Sequence, residues 1–210
     1  MNRVIKTLML SDIFILTGFG LIDPIMAIFF KEHLIGGTVV AAGIAWAIFL
    51  TTKSIVQVPF SKYVDKHMKS MGWLIFGTFM IALVPFIYIF STHIHHIYVA
   101  QVIHGIGSAI AYSTWLGIWS RNLDKNHESF EWSLYSTVSG LGTAITAFCG
   151  ALIAQYVGFD YTFVMVGILS LAGCIVLMFA EYKSEEIYKL NLRNYHKRLP
   201  KRRLFRKGLI

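Results

Sequence analysis

Residues 161–180 read YTFVMVGILSLAGCIVLMFA, a stretch with no charged side chain. An apolar run of about 18 residues or more can cross a bilayer core roughly 30 Å thick. The stretch shows no alternation of polar and apolar positions, so it does not read as a strand of a membrane barrel. In lipid a helix satisfies its own backbone groups, and a helix is the expectation. Working outward, five more runs of this kind appear, at about 8–30, 38–60, 72–91, 97–119 and 133–156. The sequence therefore predicts an all-α membrane protein, a bundle of six transmembrane helices over 1–180. A basic tail, 181–210, follows it.

Composition agrees. Of 210 residues, 56% are hydrophobic and 14% charged, where a soluble domain carries about 25% charged residues. The net charge of +8 is placed unevenly. Of the 19 Lys and Arg, Lys53 lies inside a run and Lys31 lies between the first and second. The other 17 lie before the first run, between the second and third, between the fourth and fifth, or after the sixth. Those segments share one side of the membrane, and short basic loops stay cytoplasmic. Both termini are expected inside, in a multi-pass membrane protein. The tail, Glu181–Ile210, holds ten of the bases, with Pro200 as a helix breaker. Its charge suits anionic lipid at about 1 kcal/mol per residue and does not call for nucleic acid.

Other chemistries find little support. Cys149 and Cys174 fall inside apolar runs and read as small core residues. No cleavage pattern follows the first run, which is expected to stay as a helix. His93, His95 and His96 crowd an outer loop without a nearby acid or thiol, and zinc asks for three or four converging ligands. Neither a nucleophile motif nor a phosphate-binding glycine loop is visible. The expectation is a protein that is not an enzyme, with no cofactor and no metal.

Ionisable residues at membrane depth are costly and usually face a cavity or a partner helix. Three stand out: Asp12, Asp23 and Lys53. At about 100° per residue, Asp12 and Asp23 fall within roughly 20° of each other on one helix face. Pro24 is positioned to kink that helix. Asp12 also reads as a cap at the start of its helix, and Lys53 as a side chain reaching the cytoplasmic surface. Counted from that surface, Asp12 is about 6 Å deep, Lys53 about 10 Å and Asp23 about 22 Å. Asp12 is thus the better placed partner for Lys53. The fourth run carries a polar stripe of Gln101, His104, Ser108, Tyr112, Trp115 and Trp119 at helical spacing. Such a stripe lines a watery path or the bundle interior, although His104 also reads as a hydrogen-bonded core histidine and the aromatics as packing. The fifth run shows a ridge of small residues, Gly140, Ala144, Ala147, Ala151 and Ala154. That spacing lets two helices approach closely, and the ridge is expected to pack against another helix, with a second subunit as the candidate for dimer packing.

Three segments carry a family resemblance. Between the second and third runs, Ser61-Lys62-Tyr63-Val64-Asp65-Lys66-His67-Met68-Lys69 is similar to a loop signature of the major facilitator superfamily. It matches at Asp65, Lys66 and Lys69, with Ser61 and Met68 where that signature has glycines. In the fourth run, Gln101-Val102-Ile103-His104-Gly105-Ile106-Gly107 keeps the family's two glycines and has Gln101 in place of its arginine. In the fifth, Gly142 to Gly158 followed by Phe159 resembles the family's glycine-spaced helix and turn. The matched segments span the chain to about Ala180, and the chain resembles short bacterial members of the family, which implies a protein of a bacterial inner membrane.

The resemblance implies one six-helix half of a twelve-helix fold whose halves are parallel repeats. Two copies in one orientation are then expected to rebuild the whole as a homodimer, with the second helix of one copy against the fifth of the other. The first and fourth helices would line a central cavity. The expected activity is secondary transport of a small solute by alternating access, coupled to H+ or Na+. Substrate or coupling residues would be Asp12, Asp23, Lys53, Gln101, His104, Tyr112 and Trp115. Asp65, Lys66, Lys69, Arg121 and Glu131 would form a cytoplasmic gate cluster. The competing expectation is a scaffold or accessory subunit that pairs with another six-helix half. A channel is disfavoured, as no charged ring or filter loop is visible.

Overall fold

The computed structural model describes residues 2–66 and 71–198, with side chains as far as Glu181. All of the regular structure among the described residues is helical. The first crossing is broken into α1 (Arg3–Gly20), a tight 3-10 turn (Asp23–Ile25) and α2 (Met26–His33). Then come α3 (Val39–Lys66), α4 (Met71–Ile89), α5 (Ile94–Asn122), α6 (Glu128–Tyr156) and α7 (Phe159–Arg198). The final helix thus runs beyond Ala180, where the sequence places the end of the last span. Lys69 and Pro200 lie outside the described residues.

Asn2, not Asp12, caps α1. Its side chain accepts a hydrogen bond from the Val4 amide at 3.2 Å, which serves one of the helix's orphan donors. Asp12 sits well inside the helix. The break before α2 follows from Pro24, which has no amide to donate. The chain tightens ahead of it, with Leu21 N bonding to Gly18 O at 3.1 Å and Ile22 N to Phe19 O at 3.0 Å.

By length and composition, the first, second, third, fifth and sixth crossings are each apolar enough to span a membrane. Helix α5 is absent from that set because its polar stripe dilutes its apolar content. It is nonetheless 29 residues long, about 43 Å at 1.5 Å per residue, and it packs between α3 and α4. It is the fourth crossing.

The packing has an internal symmetry. Helix α5 packs on α3 and α4, α1 packs on α6 and α7, and α4 packs on α7. Exchanging the first crossing with the fourth, the second with the fifth and the third with the sixth maps this network onto itself. Nested three-helix repeats of this kind occur inside half of a major facilitator fold. The first and fourth crossings become central, while α3 and α6 are left at the sides. Only Ala41, Ala45, Phe49 and Val64 of α3, and Glu131, Ser139 and Gly150 of α6, are buried.

Two glycines set the spacing around α5. A Cβ on Gly105 would lie 2.8 Å from Thr52 Cβ and 2.9 Å from the Phe49 carbonyl oxygen of α3. A Cβ on Gly107 would lie 2.8 Å from Met80 Cβ and 3.0 Å from the Gly77 carbonyl oxygen of α4. The pair lets α5 approach one neighbour with each residue. Nearby, the Ser61 hydroxyl donates to Ser113 Oγ at 3.0 Å and so bonds α3 to α5. At the far end, Ile35 N bonds to Thr92 O at 3.0 Å and Ile94 N to Ile35 O at 3.1 Å, which ties two loops together.

Overpacking a close helix contact costs about 1–3 kcal/mol. Gly105→Val and Gly107→Val should each lower the melting temperature of the detergent-purified protein. Gly43→Ala, whose Cβ meets nothing within 4 Å, should leave it unchanged or raise it.

Candidate functional site

Two adjoining cavities open between the central helices, of about 220 Å³ and 300 Å³. They share Phe19, Asp23, Trp46 and His104. Asp12, Lys53, Tyr112 and Trp115 line the first as well, and Gln101 lines the second. All seven residues singled out in the sequence as substrate or coupling positions therefore face one or both spaces. The α1 break puts Asp23 where the two meet, beside a helix end.

His104 is held by aromatic rings. It stacks on Phe19, with ring centroids 4.8 Å apart, and lies 4.5 Å from Phe49. Lys53 extends over the Tyr112 ring, with Nζ 4.8 Å from its centroid, a favourable placement for a cation on a π face. It forms no ion pair with Asp12 among the described residues, contrary to the pairing favoured by depth. Asp12 instead meets α6, where Tyr135 donates its hydroxyl to Asp12 Oδ2. Trp115 is buried, stacked against Trp119 with centroids 4.7 Å apart, and both indole N–H groups lack a partner among the described residues. Gln101 Oε1 is likewise buried without a partner there.

The proposed gate cluster divides. Arg121 Nη2 is 3.7 Å from Asp65 Oδ1 and also reaches the Val64 carbonyl at 3.4 Å, so it links the ends of α3 and α5. Lys66 is exposed. Glu131 is buried in the first turn of α6 and accepts from the Asp124 amide of the α5–α6 connection at 3.3 Å. The face of α6 that packs inside the bundle is the one beside the small-residue ridge. Helix α6 meets α1 through Gly142, Thr143, Thr146 and Gly150, against Thr17, Gly20 and Leu21. Gly140 and Ala144 are exposed, while Ala147, Ala151 and Ala154 are half-buried.

Tyr135 was missed in the sequence. It lies 123 positions from Asp12, and a tyrosine near a helix end carries no local signal of a distant carboxylate. Thr78 of α4, which also faces the first cavity, looks in sequence like any hydroxyl in an apolar helix.

Comparison with known proteins settles the family. The Major Facilitator Superfamily profile matches residues 8–209. The chain belongs to the major facilitator superfamily. It is a multi-pass membrane protein of that family. An uncharacterized MFS-type transporter of Methanocaldococcus jannaschii is 23% identical over 159 residues, which is 76% of this chain and 40% of that protein. The proton-coupled antiporter flippase LtaA of Staphylococcus saprophyticus is 29% identical over 98 residues, 46% of this chain and 25% of that protein. The matched part spans less than half the length of either relative.

Residues in direct contact couple by about 0.5–3 kcal/mol in a double-mutant cycle. Tyr135→Phe and Asp12→Asn should each destabilise the detergent-solubilised bundle. The double variant should lose less than the sum of the two, by an amount in that range. Strict additivity would mean that the hydroxyl and carboxylate do not meet in the folded protein.

Proposed function

We propose that this protein is a secondary transporter that moves a small solute across the membrane by alternating access. The observation that carries the reading is the charged and aromatic cavity between the first and fourth crossings. A membrane protein gains nothing in stability from Asp23 and Lys53 facing an open space at membrane depth, whereas a transporter needs polar contacts there. Family membership and the transporter names of both relatives support the same reading.

The six helices form one wall of the pathway, and a second six-helix unit forms the other. The unburied flanks of α3 and α6 suit that contact, and the halves of this family are parallel repeats. A second copy in the same orientation supplies the wall in a homodimer, with α3 of one against α6 of its partner. The basic end, where the Asp65–Arg121 pair joins α3 to α5, faces the cytoplasm. Breaking and remaking that pair accompanies opening of this end. Coupling to H+ or Na+ falls to Asp23 or His104, in line with the proton-coupled relative.

Two measurements test this. In a background with Cys149 and Cys174 replaced, single cysteines scanned along α3 and α6 should yield at least one crosslinked α3–α6 pair between copies in native membranes. A scan with no such product refutes the homodimer. In proteoliposomes, Asp23→Asn should abolish ion-driven uptake while the protein stays folded. Unaltered dependence on pH and sodium would remove Asp23 from the coupling step.

A further inference from the structure

The charges facing the two cavities are not equally committed. Asp12 accepts a hydrogen bond from the Tyr135 hydroxyl of α6. Lys53 makes no hydrogen bond or ion pair among the described residues, and its ammonium lies over the Tyr112 and Phe49 rings. Asp23 is exposed to both cavities and makes no hydrogen bond or ion pair among the described residues. One cation and one anion therefore remain open toward the same connected space. They do not neutralise each other across it.

Their separation follows from the helices. Phe19 of α1 and Phe49 of α3 clasp His104 from two sides, which puts them at one level of the bundle. Asp23 is one turn beyond Phe19 toward the far end. Lys53 is one turn beyond Phe49 toward the basic end, because α3 runs antiparallel to α1. Four residues each way, at 1.5 Å per residue, place the two Cα levels about 12 Å apart. The Lys53 ammonium is 5.9 Å from the Phe49 centroid, and helix rise puts the two charges on the order of 10 Å apart. The wall between them is aromatic: Trp46, Phe49, Phe19 and the His104 ring.

We propose that the solute is a zwitterion with an apolar body, its anionic group on Lys53 and its cationic group on Asp23. This rests on the transport reading and narrows it to a substrate class. A purely anionic solute would leave the Asp23 carboxylate facing it unpaired, and a purely cationic one would meet Lys53. An uncharged solute would leave both charges desolvated, which is costly. A driving cation then competes with the solute's own cationic group for the same carboxylate.

The test uses the purified full-length protein and defined probes: 8-aminooctanoate, octanoate, octylamine and the short 4-aminobutanoate. Binding is read by quenching of tryptophan fluorescence, since Trp46 and Trp115 line the cavity, and by thermal shift. The long zwitterion should bind at least tenfold tighter than either singly charged analogue or the short zwitterion. Lys53→Met should reduce it to the level of octylamine, and Asp23→Asn to the level of octanoate. Equal binding of octanoate or octylamine by the unaltered protein overturns the proposal, as does absence of binding by all four probes. Transport by proteoliposomes separates the two readings. Uptake of solutes without preference for zwitterions defeats only the substrate class. Tight binding of the long zwitterion with no movement of any solute defeats the transporter.

Discussion

The structure depends on one constraint: inside a bilayer there is no water to satisfy a polar group. Each backbone amide is answered within its own helix, and each polar side chain must find a partner or turn inward. Every placement at the candidate site follows from this. The stripe on α5 faces α1 and α3. Ser11 bonds to the Gly173 carbonyl at 2.9 Å across α1 and α7. Asp12 finds the Tyr135 hydroxyl. Asp23, beside the break at Pro24, stays open to both cavities.

Close approach is the second requirement. Apolar side chains have little reason to prefer each other over lipid tails, so association rests on contact between backbones and small residues. Gly105 and Gly107 seat α5 against α3 and α4, and Gly142 and Gly150 seat α6 against α1. The glycine spacing that carries the family resemblance thus has a mechanical meaning. It holds the central helices at close approach beside the cavities. Gly140 and Ala144 remain open on the flank of α6, a surface that a neighbouring unit can meet without displacing bulk.

Much of this was legible along the chain because the membrane imposes a simple length scale. Six runs of roughly the right length yield six crossings, and Pro24 marks the break in the first. A polar stripe at helical spacing marks an inward face, so Asp23, His104, Tyr112 and Trp115 stood out from the residue pattern alone. Depth counted along a helix was less informative. It favoured an Asp12–Lys53 pair, since both lie near one level, but it carries no account of which helices are neighbours around the bundle. The small residues of α6 show the same limit. Spacing identified α6 as a close-packing helix, yet two adjacent faces were both rich in small residues.

By itself, then, the sequence determined the helical class, the number of crossings, the alternation of basic ends and the identity of the inward polar residues. All of these depend on local periodicity and on transfer from water to lipid. Only the tertiary structure decided who meets whom: Tyr135 on Asp12, Phe19 and Phe49 around His104, Lys53 over Tyr112, Arg121 on Asp65. Those contacts depend on helix order, crossing angles and rotation about each axis. Such quantities are set jointly by several helices, and no single run of residues contains them.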